Sequence, residues 1–108
     1  MPGMLKMSNA GKSAPTRKIV SKLTRPRLKS FVVMRRDELR GHWVVLSPER
    51  ILTLDEVARS ILKLADGARS VDDIVTNLAK AFQAPRDVIA GDVIEFLQEL
   101  SDQLLLDI

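Results

Sequence analysis

The stretch "ERILTLDE", residues 49–56, decides the fold. Arg50–Leu54 is a short aliphatic run suited to a strand, and Thr53–Glu56 carries the residues of a helix start. Two further strand-like runs precede it, and everything after it has helical spacing. A sheet of about three strands, only partly covered by helices, leaves main-chain donors and acceptors unpaired along an edge. The question is what pairs with that edge.

A chain of 108 residues holds one domain with room for a tail. Hydrophobic residues make up 45%, but there are only three Phe and one Trp, so aliphatic side chains must fill the core. The absence of cysteine excludes disulfides, iron–sulfur clusters and thiolate zinc sites, and fits a reducing compartment. No apolar run approaches the ~18 residues of a membrane span, and the N-terminus lacks the continuous apolar stretch of a secretory signal. The expected location is the cytoplasm.

Charge is unevenly distributed. Residues 1–30 carry eight basic side chains and no acidic one, whereas residues 31–108 have a net charge of −5. The first segment, "MPGMLKMSNAGKSAPTRKIVSKLTRPRLKS", is rich in Ser, Pro, Gly, Ala and Lys and poor in aromatic residues. Such a composition buries too little apolar surface to offset ordering entropy. Residues 1–25 are therefore expected to form a disordered basic tail or linker, and residues 26–108 the folded domain. The tail reads either as an arm for nucleic acid or an acidic partner, or as a solvated tether; it lacks the interleaved aromatic residues of a nucleic-acid binder.

Within the body, Leu28–Arg36, His42–Leu46 and Arg50–Leu54 read as three strands, joined by Asp37–Gly41 and by "SPE" at residues 47–49. Connections this short imply antiparallel neighbours. A first helix is expected over Asp55–Ala65, capped by Thr53 or Asp55 and closed at Asp66–Gly67. Ser70 and Asp73 have the spacing to cap a second helix with an apolar stripe at Val71, Ile74, Val75, Leu78 and Phe82. Pro85 suits the first turn of a third helix ending near Asp102, and "LLLDI" after it reads as a frayed end or an apolar cap. The inventory is α+β: a winged helix-turn-helix-like domain with a three-stranded antiparallel sheet ahead of a three-helix bundle.

Catalysis needs a constellation of groups, and none is legible. The single histidine, His42, sits in a strand pattern beside Trp43. No phosphate-loop, zinc-protease or dinucleotide motif occurs, and "GKS" at residues 11–13 lacks the preceding glycine. Asp72 and Asp73 fall in a helix first turn, where they complement the macrodipole without any metal. No enzyme activity, catalytic residue, metal or cofactor is expected. Nucleic-acid recognition by a helix is disfavoured, because the third helix offers Asp87, Asp92, Glu95, Glu99 and Asp102 against Arg86. A winged-helix nucleic-acid binder working through the basic tail is the alternative reading, and self-pairing of the third strand a weaker one.

The third helix carries the more useful signal. Ile89, Val93, Phe96 and Leu100 share one narrow face, enough to dock it on a core. Ala90, Ile94 and Leu97 widen the apolar arc to nearly half the helix, beyond the ~100° that packing requires. The surplus reads either as burial on two sides or as one wall of a groove. An open strand edge beside an apolar groove wall suits an extended peptide, which adds as a strand. The expected peptide-binding residues are Arg50, Ile51, Leu52, Thr53 and Leu54 on the edge, with Ala90, Val93, Ile94 and Leu97 on the helix.

The run from Trp43 to Leu100 resembles component D of pyrroloquinoline quinone (PQQ) biosynthesis, a small peptide chaperone. The resemblance lies in "L-x-P-E-R" at Leu46–Arg50, "DG-x-x-S/T-V" at Asp66–Val71, "AP" before the third helix, and "D-V-x-x-F-L-x-x-L" at Asp92–Leu100. It spans about residues 26–106. The resemblance implies the fold shared by recognition domains for ribosomally made, modified peptides. It also implies that the domain binds the precursor peptide (component A) and presents it to the radical S-adenosylmethionine enzyme (component E) that cross-links its Glu and Tyr. The peptide would add to the third strand and pack against the third helix. Some family members are fused to the pathway oxidase (component C). A monomer without membrane attachment is expected.

Overall fold

The computed structural model describes residues 17–108. The elements are β1 (Arg27–Leu28), β2 (Val33–Asp37), β3 (His42–Leu46), β4 (Ile51–Leu54), α1 (Glu56–Leu64), α2 (Val71–Phe82), α3 (Arg86–Asp102) and β5 (Leu106–Asp107). β2, β3 and β4 form the expected antiparallel sheet, in that order, so β4 lies at one edge and β2 at the other.

The β2–β3 turn is built by Asp37. Its carboxylate accepts the backbone N–H groups of Leu39 and Arg40 and meets the Arg40 guanidinium at 3.2 Å, while Gly41 takes φ +75°. Side chains alternate along each strand. Val45, Leu52 and Leu54 point to the helices, whereas Val33, Val44, Leu46, Ile51 and Thr53 share the outer face.

The expected first strand, Leu28–Arg36, is in fact broken. Val32 N–H donates to Lys29 O in a turn, and Lys29 N–H donates to Leu105 O. The upstream piece, β1, pairs antiparallel with β5, so "LLLDI" ends in a strand and not a frayed helix. The tie is reinforced by Lys29 and Asp107 at 3.0 Å.

Helix boundaries follow local chemistry. Of the two candidate caps for α1, Asp55 is the one used, accepting the Ala58 N–H at 2.8 Å. Gly67 adopts φ +83° beyond the helix and lies against the Arg27 side chain, where a Cβ would come within 3.3 Å. Ser70 and Asp73 form a complete capping box on α2. Pro85 stands at the N-cap of α3, and Asp102 is the last residue of that helix.

One core joins the helices to the inner sheet face. At its centre lie Val45, Ile61, Val71, Ile74, Val75, Val93, Leu97 and Leu100, each at most 2% exposed. α3 does not dock by the expected stripe alone. Leu97 is fully buried and Phe96 is displaced to the flank of the helix, half-buried.

Of the expected tail, residues 1–16 lie outside the described residues. Residues 17–25, in contrast, are laid across the ends of α3 and α2. Arg17 makes a two-pronged ion pair with Asp102, at 2.9 and 2.8 Å. Val20 is buried, and its N–H donates to Gln98 Oε1 while Gln98 Nε2 donates to Lys18 O. Lys22 O and Thr24 O accept from the N–H groups of Asp72 and Val71, two of the orphan donors that open α2.

Candidate functional site

The free edge of β4 is defined by the tight turn before it. Ser47 and Arg50 exchange both main-chain hydrogen bonds, at 3.0 and 3.4 Å. Hydrogen-bonded and non-hydrogen-bonded pairs alternate along an antiparallel ladder. In the β3–β4 register, Leu52 and Leu54 therefore bond inward to Val45 and Trp43, and Ile51 and Thr53 direct their N–H and C=O outward. This edge offers four main-chain groups over four residues, with no charged side chain among "ILTL". The opposite edge differs. β2 carries Arg35, Arg36 and Asp37, and charges of that kind guard an edge against pairing.

Two concavities bracket β4. At its start, Arg50 lines a hollow together with Phe31, Gln103 and Leu104. Beyond its end, Asp55 lines a groove of about 550 Å³ between α1 and α3. Val57, Ala58, Ile61 and Phe96 form the apolar part of that groove, and Asp92, Glu95 and Glu99 complete its rim. The two hollows place the last turns of α3 alongside β4, running in the opposite direction. An extended segment laid on the β4 edge would thus be flanked by α3.

The structure sorts the expected site residues into three groups. Of Arg50, Ile51, Leu52, Thr53 and Leu54, expected as one strand, Arg50 instead closes the turn before β4. Arg50, Ile51 and Thr53 are exposed, Leu52 is half-buried and Leu54 is in the core. Val93 and Leu97 are fully buried and line neither hollow, so they serve as core. Ala90 and Ile94 are half-buried, but they belong to the row Ala90–Ile94–Gln98–Asp102, spaced i, i+4 along α3. The far end of that row is held by residues 17–20. It is the flank away from the α1 groove. The wall on the groove side is Phe96.

Sequence reasoning missed Val57, Ile61 and Phe96 as groove residues. The available signal was the position of Phe96, next to the acidic arc of α3 and 60° from Val93 at 100° per residue. Nearby, the Arg59 guanidinium lies 4.5 Å from the Trp43 ring centroid, which fixes α1 on the inner face of β3. Among the described residues no group of His, Cys, Asp or Glu is arranged to hold a metal, and no helix is long and apolar enough to cross a membrane.

With this geometry in place, comparison with known proteins gives a consistent answer. Residues 42–106 match the family model for Coenzyme PQQ synthesis protein D (PqqD). A protein of Rhodopseudomonas palustris (strain HaA2), named PqqA binding protein, is 48% identical over 84 residues, covering 78% of this chain and 82% of the relative. The fold matches the solution NMR structure of the PqqD truncation of Methylobacterium extorquens PqqCD with a TM-score of 0.73 and 35% identity, over 82% of this chain and 95% of that one. That truncation is described as a functional, stand-alone recognition element for ribosomally synthesised and post-translationally modified peptides. The crystal structure of PqqD from Xanthomonas campestris matches with a TM-score of 0.54, again at 35% identity, over 82% and 99% of the two chains. An α+β domain with an unguarded sheet edge, matched over most of its length by these relatives, is assigned without ambiguity: the chain belongs to the PqqD family.

Proposed function

We propose that this protein is a non-catalytic adaptor of PQQ biosynthesis that captures the PqqA precursor peptide as a fourth strand on β4. The observation that carries this reading is the uncharged β4 edge, whose Ile51 and Thr53 main-chain groups face outward alongside α3. Relatives 46% and 48% identical to it over 84 residues are named PqqA binding protein. Main-chain bonds supply the attachment, and alternate peptide side chains are read by the α3 flank, with Phe96 as the apolar anchor.

In this role the adaptor holds the peptide for the radical S-adenosylmethionine enzyme that joins its Glu and Tyr, and works beside the pathway oxidase. The oxidase association is supported by the PqqCD context of the M. extorquens domain. The setting proposed is the cytoplasm, in keeping with a chain that has no cysteine.

The test is calorimetric titration of the full chain with synthetic PqqA peptide, repeated after deletion of residues 1–16. Saturable binding that survives the deletion supports the adaptor. Absence of peptide binding, together with salt-sensitive binding to nucleic acid that depends on residues 1–16, would replace it with the basic-arm reading.

A further inference from the structure

The carboxylates of this fold are mostly engaged. Asp37, Asp66, Asp72, Asp102 and Asp107 each meet an Arg or Lys, and Asp73 closes the α2 capping box. Glu49, Glu56 and Asp87 are also unpaired among the described residues, but they stand apart. Glu56 and Asp87 sit in helix first turns, where the dipole favours them. The groove between α1 and α3 is where unpaired carboxylates cluster. Asp92, Glu95 and Glu99 enter no ion pair among the described residues, and no basic residue lines the groove with them.

Their placement works against the helix that carries them. Asp92 and Glu95 are spaced i, i+3, and Glu95 and Glu99 i, i+4, so each pair repels its neighbour across one turn. Glu99 also lies in the C-terminal turn of α3, which has no basic residue to offset the negative end of the helix dipole. Folding alone gives no reason for this cluster. A ligand does, because the same three carboxylates rim a hollow walled by the half-buried Phe96 and Val57, with Ile61 buried at its floor. The hollow opens just past Leu54, the last residue of β4, where Asp55 caps α1.

We infer that this groove is a charge-selective subsite for the stretch of bound peptide adjoining the added strand at its Leu54 end, and that this stretch carries Lys or Arg beside an apolar residue. The inference rests on the peptide-capture reading above. The aliphatic stem of a Lys or Arg packs against Phe96, and its charged end reaches the rim carboxylates. Asp92, Glu95 and Glu99 thereby become specificity residues, distinct from the main-chain groups of Ile51 and Thr53 that give attachment. Attractive charge at such a rim also speeds encounter, which makes affinity salt-dependent.

The test uses synthetic PqqA peptide, and the same peptide with every Lys and Arg replaced by Gln, titrated by fluorescence anisotropy. The full chain is compared with a Glu95→Lys/Glu99→Lys double variant at about 50 and about 300 mM salt. Both positions are exposed, and thermal denaturation of the variant, expected at or above that of the parent, verifies folding. The expected result is binding weaker by about tenfold or more for the double variant at low salt, and weakened binding of the Gln peptide to the parent. A fall in affinity on adding salt is expected only for the parent with the unaltered peptide. Equal affinities throughout would overturn the charge-selective subsite and leave peptide capture standing. A parent chain that binds neither peptide would overturn both.

Discussion

Ser47 and Arg50 exchange two main-chain hydrogen bonds, and this pair fixes which residues of β4 remain open. Counting from it, Leu52 is bonded to Val45 and Thr53 is not bonded to Val44. Proline therefore discriminates between adjacent positions. Thr53→Pro removes an outward N–H, a change that edge strands tolerate, whereas Leu52→Pro removes a ladder bond. Circular dichroism of Thr53→Pro should stay native while peptide affinity falls by at least about tenfold, the loss of one main-chain bond to ligand. Leu52→Pro should lower the denaturation midpoint itself.

The buried and groove-lining positions of α3 separate in the same way. Leu97 has no exposed surface, so Leu97→Ala should cost about 2–5 kcal/mol in chemical denaturation, and Leu97→Asp should prevent folding. Phe96→Ala is expected to weaken peptide binding at a smaller cost in stability, because part of the ring already faces the groove. A Phe96→Ala variant with unchanged peptide affinity would remove the α1–α3 groove from the site.

The segment before β1 is an integral part of the helical layer. Extending an N-terminal deletion from residue 16 to residue 24 removes buried Val20, its N–H bond to Gln98 Oε1 and the bond from Gln98 Nε2 to Lys18 O. The longer deletion should be less stable than the shorter by roughly 2 kcal/mol or more, since a fully buried Val alone is worth about 1.5–3 kcal/mol. Equal urea midpoints for the two deletions would show that residues 17–24 do not contribute.

Acid should weaken the same contacts. Hydrogen bonds from the Arg17 and Gln98 side chains hold the Asp102 carboxyl below its ordinary value of 3.8. The Lys29 ammonium does the same for Asp107, and the Ser70 N–H and hydroxyl for Asp73. A carboxyl depressed in the folded chain takes up its proton more readily when unfolded. Its stabilisation is therefore present above the ordinary value and is lost as pH falls through the lower, folded one. Thermal midpoints should be flat near neutrality and decline below about pH 4. In Asp102→Asn part of that decline should disappear, and the amide signals of residues 17–20 should shift.

Much of this was legible in the chain because the signals are local. The Ser70/Asp73 box and the Asp37 turn are each specified within a few residues and stand where the spacing put them. Pro85 and the "ILTL" strand fall within one residue of it, Pro85 at the N-cap and the strand starting at Ile51. The misreadings share a different cause. "LKSFVVMRR" reads as one strand until Lys29 is seen to bond Leu105, a partner more than seventy residues away that no local pattern reveals. On α3 the apolar arc is so wide that either Phe96 or Leu97 could sit at its centre. Packing against α2 and the sheet chose Leu97, leaving Phe96 for the groove. Residues 17–25 have a tail-like composition, yet Val20 finds a buried place because Gln98 bonds the backbone of Lys18 and Val20 and the open N-terminus of α2 bonds that of Lys22 and Thr24.

The most direct measurement is amide hydrogen exchange at β4 with and without saturating PqqA peptide. The account predicts that Leu52 and Leu54 are protected in both states, whereas Ile51 and Thr53 exchange freely in the unbound protein and become protected when the peptide adds as a strand. Peptide binding that leaves Ile51 and Thr53 exchanging as before would contradict strand addition at this edge.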